Sequence, residues 1–248
     1  MRSTTAAGRA RDLAARVAHA LVRGLAWLAD YAYAAGRQAV ALLGHRDPAR
    51  YATGTRTPVL VVPGIYETWA FLEPLARALH DAGHPVHTVP ALGFNHRGLA
   101  ASAALVEDRL DALGLDRVVL VAHSKGGLIG KHVMALPRGA DRVVGLVALN
   151  TPFGGSVYAT WFPAGPVRAL APRHPDLVAL GRELLPHPRI VSVFARFDPH
   201  VPAGSALPGA INVPLPQMGH FRVVGMPAVQ RTVVAHVAAF DAAPAPGA

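Results

Sequence analysis

The residues best suited to chemistry are a serine, an aspartate and a histidine that occur in this order along the chain. Ser124 lies within the segment AHSKGG, Asp198 within RFDPHVP, and His220 within MGHF. A serine hydroxyl is a weak nucleophile until a histidine takes its proton, and that histidine needs a carboxylate to orient its ring. The three residue types therefore predict nucleophilic catalysis, with Ser124 as nucleophile, His220 as base and Asp198 as the orienting carboxylate.

The surroundings of Ser124 predict a sharp turn between a strand and a helix. An apolar strand from Val118 to Ala122 precedes the serine, and a helical pattern follows it. At such a nucleophile elbow, small residues are needed two before and two after the serine because the two backbones nearly touch, and Ala122 and Gly126 satisfy this. A serine that merely caps a helix would explain neither Gly126 nor Gly127.

Other titratable residues compete for the two supporting roles. Asp198 and His220 each follow a predicted strand, so both are expected at the carboxyl edge of the sheet. The order Ser, Asp, His also differs from the orders of chymotrypsin-like and subtilisin-like proteases. The competing residues lack this placement, since each lies beside the serine, in a loop, in a helix or in an irregular segment: His123, His200, His236, Asp176 and Glu183.

Acyl transfer also needs backbone N–H groups that bind the oxyanion of the tetrahedral intermediate. One donor is expected from Lys125, the residue after the nucleophile. The second is expected from Ile65, in the loop that follows the first core strand. Gly64 precedes it and lets the backbone turn close to a substrate. The sequence therefore predicts an oxyanion hole formed by the N–H groups of Ile65 and Lys125.

Strands and helices alternate along the chain, which predicts an α/β fold with about six strands. Each predicted strand is apolar throughout, as is typical of a mostly parallel sheet covered by helices on both faces. Helices are predicted at about 68–82, 101–113, from 125, and at 229–240. The strands are predicted at Val59 to Val62, Val86 to Val89, Val118 to Ala122, Val143 to Leu149, Ile190 to Phe194 and Ile211 to Val213.

The domain prediction divides the chain into three parts. Residues 1–54 form an N-terminal helical extension, residues 55–241 form the α/β domain, and residues 242–248 form a disordered tail. Within the domain, the proline-rich residues 150–187 interrupt the alternation and are predicted to form a short cap or flap.

The N-terminal extension has a helical pattern over residues 8–44, with Gly24 and Gly36 as expected breaks. Its charged residues interrupt every apolar run before it reaches the roughly 20 residues that a membrane span needs. The same interruptions make a signal peptide a poor interpretation of this segment. Two interpretations remain open: a helix packed through its apolar stripe on the α/β domain, or an interfacial helix on anionic lipid. The stripe comprises Leu13, Val17, Leu21, Leu25 and Leu28, and the opposing basic row comprises Arg2, Arg9, Arg16 and Arg23.

Composition narrows the classes of protein further. The chain has 248 residues, of which 52% are hydrophobic and 16% are charged, so global disorder is excluded. Cysteine is absent, which removes disulfide scaffolds, thiol nucleophiles and cysteine zinc sites. Although the net charge is +9, the first 50 residues hold eight arginines against three aspartates, so the basic charge is concentrated outside the predicted domain. We therefore expect no nucleic-acid partner.

The ordered segments together resemble the α/β-hydrolase superfamily, and more closely the small bacterial lipases and esterases. The resemblance covers roughly residues 55–240 and rests on Val-Pro-Gly-Ile-Tyr after the first strand, the elbow at Ser124, residues 150–156 (NTPFGGS), and Asp198 with Gly219-His220. Phe153 stands where a histidine is usual in lipase-type members, and Lys125 is a less usual neighbour of the nucleophile. The resemblance implies hydrolysis of carboxylic esters without a metal or cofactor.

An apolar acyl group is favoured by aromatic residues expected near the site, namely Tyr66, Trp69, Phe94, Phe153, Trp161 and Phe162. Two alternatives remain: an acyltransferase with the same triad, and a non-catalytic binding protein on the same fold. We expect a small-molecule ester or lipid substrate and a cytoplasmic protein. Peripheral membrane contact through residues 8–44 is one of the two interpretations left open for the N-terminal extension. The sequence does not determine the oligomeric state.

Overall fold

The computed structural model describes residues 6–44 and 46–242, and the side chains of the first helix from residue 12 onward. The predicted tail beyond residue 242 and the side chains of Arg2 and Arg9 lie outside these residues. A sheet of six strands forms the centre of the molecule. Its strands are β1 (Val59–Val62), β2 (Val86–Thr88), β3 (Val118–His123), β4 (Val143–Leu149), β5 (Ile190–Phe197) and β6 (Ile211–Met218).

The strands pair in the order β2-β1-β3-β4-β5-β6, and every pair is parallel. The chain thus has the predicted α/β-hydrolase fold class. Seven α-helices are described: α1 (Ala6–Leu43), α2 (Glu73–Asp81), α3 (Leu99–Leu113), α4 (Lys125–Ala135), α5 (Pro137–Arg142), α6 (Pro175–Arg182) and α7 (Pro227–Asp241). Because a parallel sheet aligns all its carboxyl ends, the residues that follow β1, β3, β5 and β6 meet at one edge.

The core lies on both faces of the sheet because successive residues of each central strand point to opposite sides. On one face, Leu60, Leu120 and Leu146 pack against α3 and α4. On the other face, Val61 and Val121 pack against α2 and α7. All residues of β1, β3 and β4 are buried, which explains why these strands have uninterrupted apolar sequences.

Strands β5 and β6 extend beyond the predicted ends, Phe194 and Val213. For β6 the reason is its position at the edge of the sheet. Pro214 and Pro216 lack an N–H group, and this loses no hydrogen bond where the missing donor would face the unpaired side. The added residues still pair, with Phe197 opposite Met218. As a consequence, Asp198 follows the last residue of β5 directly, and Gly219 that of β6.

The first helix is continuous from Ala6 to Leu43, so the expected breaks at Gly24 and Gly36 are absent. A helix-interior glycine costs only about 1 kcal/mol relative to alanine, which packing of the helix can offset. The described hydrogen bonds from the helix to the domain come from its second half. Gln38 Nε2 donates to the carbonyl oxygen of Tyr66 over 2.6 Å, and Arg37 donates to that of Ala70.

The apolar stripe of α1 is exposed, contrary to the interpretation of a helix packed through these residues. Leu21 is 63% exposed and Leu28 is 70% exposed, and the other members are exposed as well. The buried face instead contains Ala26 and Asp30, on the opposite side of the helix. None of the described helices is both long and apolar enough to span a bilayer.

Glu73 anchors the chain that follows α1 to the first turn of α2. Its buried carboxylate pairs with Arg46, with Arg50 at 2.7 Å, and with Arg37 of α1 at 3.6 Å. Burial alone would raise the pKa of Glu73, but the Tyr51 hydroxyl and these arginines hold the pKa below its ordinary value. This network fixes the end of α1 to the domain.

Candidate active site

Ser124 occupies the turn between β3 and α4 in a strained backbone conformation. Its φ and ψ angles are 52° and −124°, a region that non-glycine residues rarely adopt. Such strain costs of the order of 1–3 kcal/mol and persists only where the surrounding structure enforces it. The turn raises the hydroxyl above the carboxyl edge of the sheet.

Two glycines allow α4 to approach the sheet closely enough to form this turn. A Cβ atom on Gly126 would lie 2.2 Å from the carbonyl oxygen of Val62 in β1. A Cβ atom on Gly127 would lie 1.9 Å from the Thr151 hydroxyl oxygen, after β4. Any larger residue at either position would push α4 away, so both glycines serve the geometry of the elbow.

The side chains of Ser124, His220 and Asp198 form a continuous chain of hydrogen-bond contacts. His220 Nε2 lies 2.9 Å from Ser124 Oγ, and His220 Nδ1 lies 2.7 Å from Asp198 Oδ2. An ionised carboxylate can only accept, so Nδ1 carries the ring proton and Nε2 is left as an acceptor for the serine hydroxyl. The three predicted residues are thus brought together, and all three are buried.

Asp198 is held in its ionised form by its partners. Its Oδ1 accepts hydrogen bonds from the backbone N–H groups of His200 at 2.8 Å and Val201 at 3.0 Å. Burial alone would raise the pKa of Asp198, but His220 and these two N–H groups hold it below its ordinary value. The carboxylate therefore stays charged and oriented toward His220.

A second buried pair, Glu67 and His123, lies behind the first. The Glu67 carboxylate accepts from the backbone N–H of Gly64 at 2.7 Å and lies 2.9 Å from His123 Nδ1. His123 Nε2 lies 2.9 Å from the carbonyl oxygen of His220. Both ring nitrogens of His123 thus face acceptors, which favours the doubly protonated ring. Burial opposes the charge, yet Glu67 raises the pKa of His123 above its ordinary value.

Of the two predicted oxyanion donors, Lys125 directly follows Ser124 in the chain and Ile65 lies on the same cavity as the serine. Lys125 is the first residue of α4, where helix geometry leaves backbone N–H groups without a helical partner. The Lys125 side chain turns away, because its Nζ donates to the carbonyl oxygen of Asn95 at 2.8 Å and to that of Arg97. It holds the loop before α3 in place.

A cavity of about 730 Å³ opens over Ser124, Asp198 and His220. Its walls are mainly apolar, and the segment between β4 and β5 provides one of them through Ala159, Val167 and Leu170 among others. This segment is the predicted cap, and it contains short 3₁₀ turns and α6. The volume lies within the range typical of small-molecule sites.

Two of the six aromatic residues expected near the substrate, Tyr66 and Phe162, line this cavity. The other four do not, for different reasons. Phe153 is buried in the core, and Trp69 packs edge-on against Tyr51 with ring centroids 6.4 Å apart. Phe94 lies exposed in the loop before α3, and Trp161 is 84% exposed on the cap.

The first helix supplies a wall of the cavity that was not predicted from the sequence. Arg23, Trp27 and Tyr31 of α1 line it together with the serine. The Tyr31 ring lies 5.5 Å from the ring of His200, and the Arg23 guanidinium lies 5.0 Å from the Phe197 ring. The sequence contains a weak indication of this wall, because Arg23, Trp27 and Tyr31 are spaced four residues apart and share a helix face beside the leucine stripe.

Of the competing histidines and carboxylates, only His200 lies on the cavity. Its ring centroid is 4.9 Å from that of His220. Burial, followed by the charge of the His220 ring, lowers the pKa of His200 to about 4. It is therefore neutral at neutral pH, and no described contact joins it to Ser124. Across the described residues, no cluster of three His, Asp or Glu side chains is arranged to hold a metal ion.

Residues 57–179, just under half of the chain, match the family model described as alpha/beta hydrolase fold. No curated protein matches the sequence. One similar solved structure belongs to work on LipS and LipT, two metagenome-derived lipolytic enzymes, with a TM-score of 0.54 and 18% identity over 75% of this chain and 95% of that chain.

Two further structures extend the comparison. The Paleococcus ferrophilus monoacylglycerol lipase has a TM-score of 0.54 and 13% identity over 75% of this chain and 96% of that chain. The enol-lactonase from Burkholderia xenovorans LB400 has a TM-score of 0.53 and 16% identity over 75% of this chain and 92% of that chain. At such low identities these similarities show the fold, and the reaction must be argued from the site.

Proposed function

We propose that this protein, whose fold is that of the α/β hydrolases, is a serine hydrolase that cleaves carboxylic esters with an apolar acyl group. The observation that carries the proposal is the chain of contacts from Asp198 through His220 to Ser124 on the floor of an apolar cavity. A merely structural serine would not need the strained backbone of the elbow. A non-catalytic binding protein would not need all three residues at hydrogen-bond distance.

The proposed reaction has two halves that use the same groups. Ser124 Oγ attacks the ester carbonyl carbon while His220 Nε2 takes the hydroxyl proton, and the carbonyl oxygen becomes an oxyanion bound by the N–H groups of Ile65 and Lys125. The intermediate then expels the alcohol, which receives its proton from His220, and an acyl-enzyme remains. Water activated by His220 attacks this acyl group and releases the acid and free Ser124.

The substrate class follows from the cavity walls. Trp27, Phe162 and Leu170 are among the residues that surround the serine, and they favour an aliphatic or aromatic acyl chain over a charged one. Asp198 and His220 mark the catalytic end of the cavity, and other polar residues, Arg23 and Ser156 among them, also line it. The acyl chain would therefore extend between α1 and the segment 150–187, with the ester at Ser124.

The test is turnover of nitrophenyl esters from acetate to palmitate by the wild type and by Ser124→Ala. Loss of the nucleophile should lower kcat by about 10⁴-fold or more, because the three residues act as a unit. Ser192→Ala is the matched control, since Ser192 is another buried serine. It lies in β5 and its hydroxyl donates to the Ser205 carbonyl oxygen at 2.6 Å. Ser192→Ala should retain turnover. Product analysis with added glycerol separates hydrolysis from acyl transfer, and equal activity of Ser124→Ala would overturn the proposal.

We also propose that the first half of α1, up to about residue 25, binds an anionic lipid surface. Every described side chain from residue 12 to residue 25 is exposed. Residues 1–25 contain five arginines and one aspartate, a net charge of +4. An exposed leucine stripe beside basic residues matches the acyl boundary and phosphate groups of such a surface, where each basic residue contributes about 1 kcal/mol.

A further inference from the structure

The backbone of the His220 loop rests on a carboxylate from a distant part of the chain. Asp30, in α1, is completely buried. Its Oδ2 accepts a hydrogen bond from the N–H of His220 at 2.8 Å. Its Oδ1 accepts from the N–H groups of Phe221 and Arg222, each at 2.8 Å. Three consecutive backbone donors of the loop therefore converge on one side chain.

No ion pair among the described residues involves Asp30, so backbone N–H groups are its principal partners. Hydrogen bonds to an ionised group are stronger than neutral ones and strongly prefer one geometry. The Arg222 side chain does not compete for the carboxylate, because its Nε donates to the Met218 carbonyl oxygen at 3.0 Å. The bonds thus fix the backbone of the loop, in a way that no surface contact would.

Gly219 is fitted to the same carboxylate. Its φ angle is +111°, and a Cβ atom at this position would lie 2.5 Å from Asp30 Oδ1. A side chain here would displace either the loop or α1. The residue before the histidine is therefore small because Asp30 occupies the adjoining space.

The opposite side of the His220 peptide is held by the sheet. Its carbonyl oxygen accepts from Asn150 Nδ2 at 3.0 Å and from His123 Nε2 at 2.9 Å. These two donors come from the ends of β4 and β3. Only the N–H side is held by α1, so removal of Asp30 would leave the backbone of His220 anchored on one side.

We propose that Asp30 is a positioning residue that sets the place of the His220 ring between Ser124 and Asp198. The inference rests on the proposed function, since it assigns His220 the role of base. It makes α1 part of the catalytic machinery, although α1 lies outside the sheet. Misplacement of a catalytic group by about 1 Å can cost about 100-fold in rate, so a loop shift of this size would be visible in kcat.

The experiment compares Asp30→Asn with Asp241→Asn. Asp241 is the matched control because it also accepts a backbone N–H, that of Thr57 at 2.9 Å, and binds Arg56 Nε at 3.0 Å. It lies near the amino end of β1, whereas the active site lies at the carboxyl end. The readouts are kcat and KM for nitrophenyl butyrate, the rate of labelling by a fluorophosphonate, and Tm.

For Asp30→Asn we expect kcat and the labelling rate to fall between tenfold and 100-fold, with KM changed less than threefold. For Asp241→Asn we expect a lower Tm with kcat within twofold of the wild type. If Asp30→Asn, assayed at a temperature well below its Tm, has the same kcat as the wild type, the inference is overturned. It is also overturned if both variants lose activity only in proportion to their unfolded fraction.

Asp30→Glu provides a second variant in case Asp30→Asn does not fold. It keeps the negative charge but moves the carboxylate by one methylene, so kcat should still fall at least fivefold, and a wild-type kcat would overturn the inference. Ser124→Ala measured in parallel separates the two hypotheses. Activity in Ser124→Ala overturns the proposed function, whereas an inactive Ser124→Ala beside a fully active Asp30→Asn overturns only the role of Asp30.

Discussion

His123 lies next to Ser124 in the chain but outside the hydrogen-bond chain that ends at the serine. Its two ring nitrogens join the Glu67 carboxylate to the His220 carbonyl oxygen. Glu67 in turn accepts from Gly64, beside the expected oxyanion donor Ile65. One buried, charged pair thus supports both the loop of the base and the loop of the oxyanion hole.

This pair predicts a pH dependence of stability. The pKa of His123 is raised in the folded state, so the native protein binds more protons than the unfolded chain just above the ordinary histidine pKa of about 6.5. The stabilisation is complete below that pH and is lost as pH rises through the native pKa. The contribution of His123 to the free energy of unfolding should therefore fall as pH rises above 6.5, by up to about 1.4 kcal/mol per pH unit for one proton.

Urea unfolding of the wild type and His123→Gln at several pH values in this range checks the prediction, and His123→Gln should show a flatter slope. His236→Gln is the control, because burial lowers the pKa of His236 and moves its contribution below pH 6.5. It should keep the wild-type slope. Equal slopes for wild type and His123→Gln would contradict the assignment of a charged His123.

At the scale of residues, the sequence could predict the serine, the aspartate and the histidine because each follows an apolar strand. It could not predict Asp30 or Glu67 as their supports. Both carboxylates bind backbone N–H groups, which every residue except proline carries, so no residue type marks the partner. Asp30 and His220 are separated by 190 positions in the chain, and they come into contact only in the folded structure.

At the scale of elements, α1 has two halves with different surroundings. The second half docks through Asp30, Arg37 and Gln38, while the leucines of the first half are exposed. The helix also forms a wall of the cavity through Trp27 and Tyr31. A surface bound by the first half would therefore lie beside this wall of the cavity.

Binding to vesicles tests the lipid proposal for this element. The full chain should co-sediment with vesicles that contain phosphatidylserine at low salt, and less at high salt, because the attraction to phosphate is screened. The double variant Val17→Gln and Leu21→Gln should lose binding and keep activity on a soluble ester. Both positions are exposed, so folding should not change.

Ile211→Gln is the control, since Ile211 is exposed at the amino end of β6, whereas Asp30 of α1 binds the loop after the carboxyl end of this strand. It should bind vesicles as the wild type does. Absence of binding by the wild type at low salt would contradict the lipid proposal. A wild type that is dimeric, ignores vesicles and becomes monomeric in the double variant would assign the leucine stripe to a second copy of the chain instead.

The wall contributed by α1 predicts a chain-length preference. Each buried CH₂ group contributes about 0.8 kcal/mol, which corresponds to roughly a fourfold gain in kcat/KM per added carbon while the acyl chain still contacts the wall. Trp27→Ala should reduce this gain between butyrate and octanoate esters and leave acetate turnover nearly unchanged. Leu42→Ala, an exposed position farther along α1, should keep the full gain. The same chain-length profile in Trp27→Ala would show that acyl chains lie elsewhere.

Element predictions succeeded where burial dictates the sequence. The strands β1, β3 and β4 are buried on both faces and begin at the predicted residues. The errors occur where burial is one-sided: β6 continues through two prolines at the sheet edge, and α1 continues through Gly24 and Gly36. The docking face of α1 escaped prediction because it is lined by alanine and polar residues, whereas the obvious leucine stripe faces outward.

At the scale of the whole molecule, one edge of the parallel sheet collects groups from all parts of the chain. Ser124 follows β3, Asp198 follows β5, His220 follows β6, and Asp30 reaches the same edge from α1. The alternation of strands and helices could predict this edge from the sequence. It could not predict that the N-terminal helix closes the site, because nothing in the helical pattern identifies the surface on which it packs.

The most direct test of the account is covalent labelling of the folded protein by a fluorophosphonate, with the modified residue identified by peptide mass spectrometry. We predict one adduct per chain, on Ser124, because among the serines that the structure describes only Ser124 has a histidine positioned to take its proton. Labelling should vanish in Ser124→Ala, fall strongly in His220→Ala and Asp198→Asn, and be absent from urea-unfolded wild type. Unchanged labelling of Ser124→Ala, or an adduct on another serine at a comparable rate, would contradict the account.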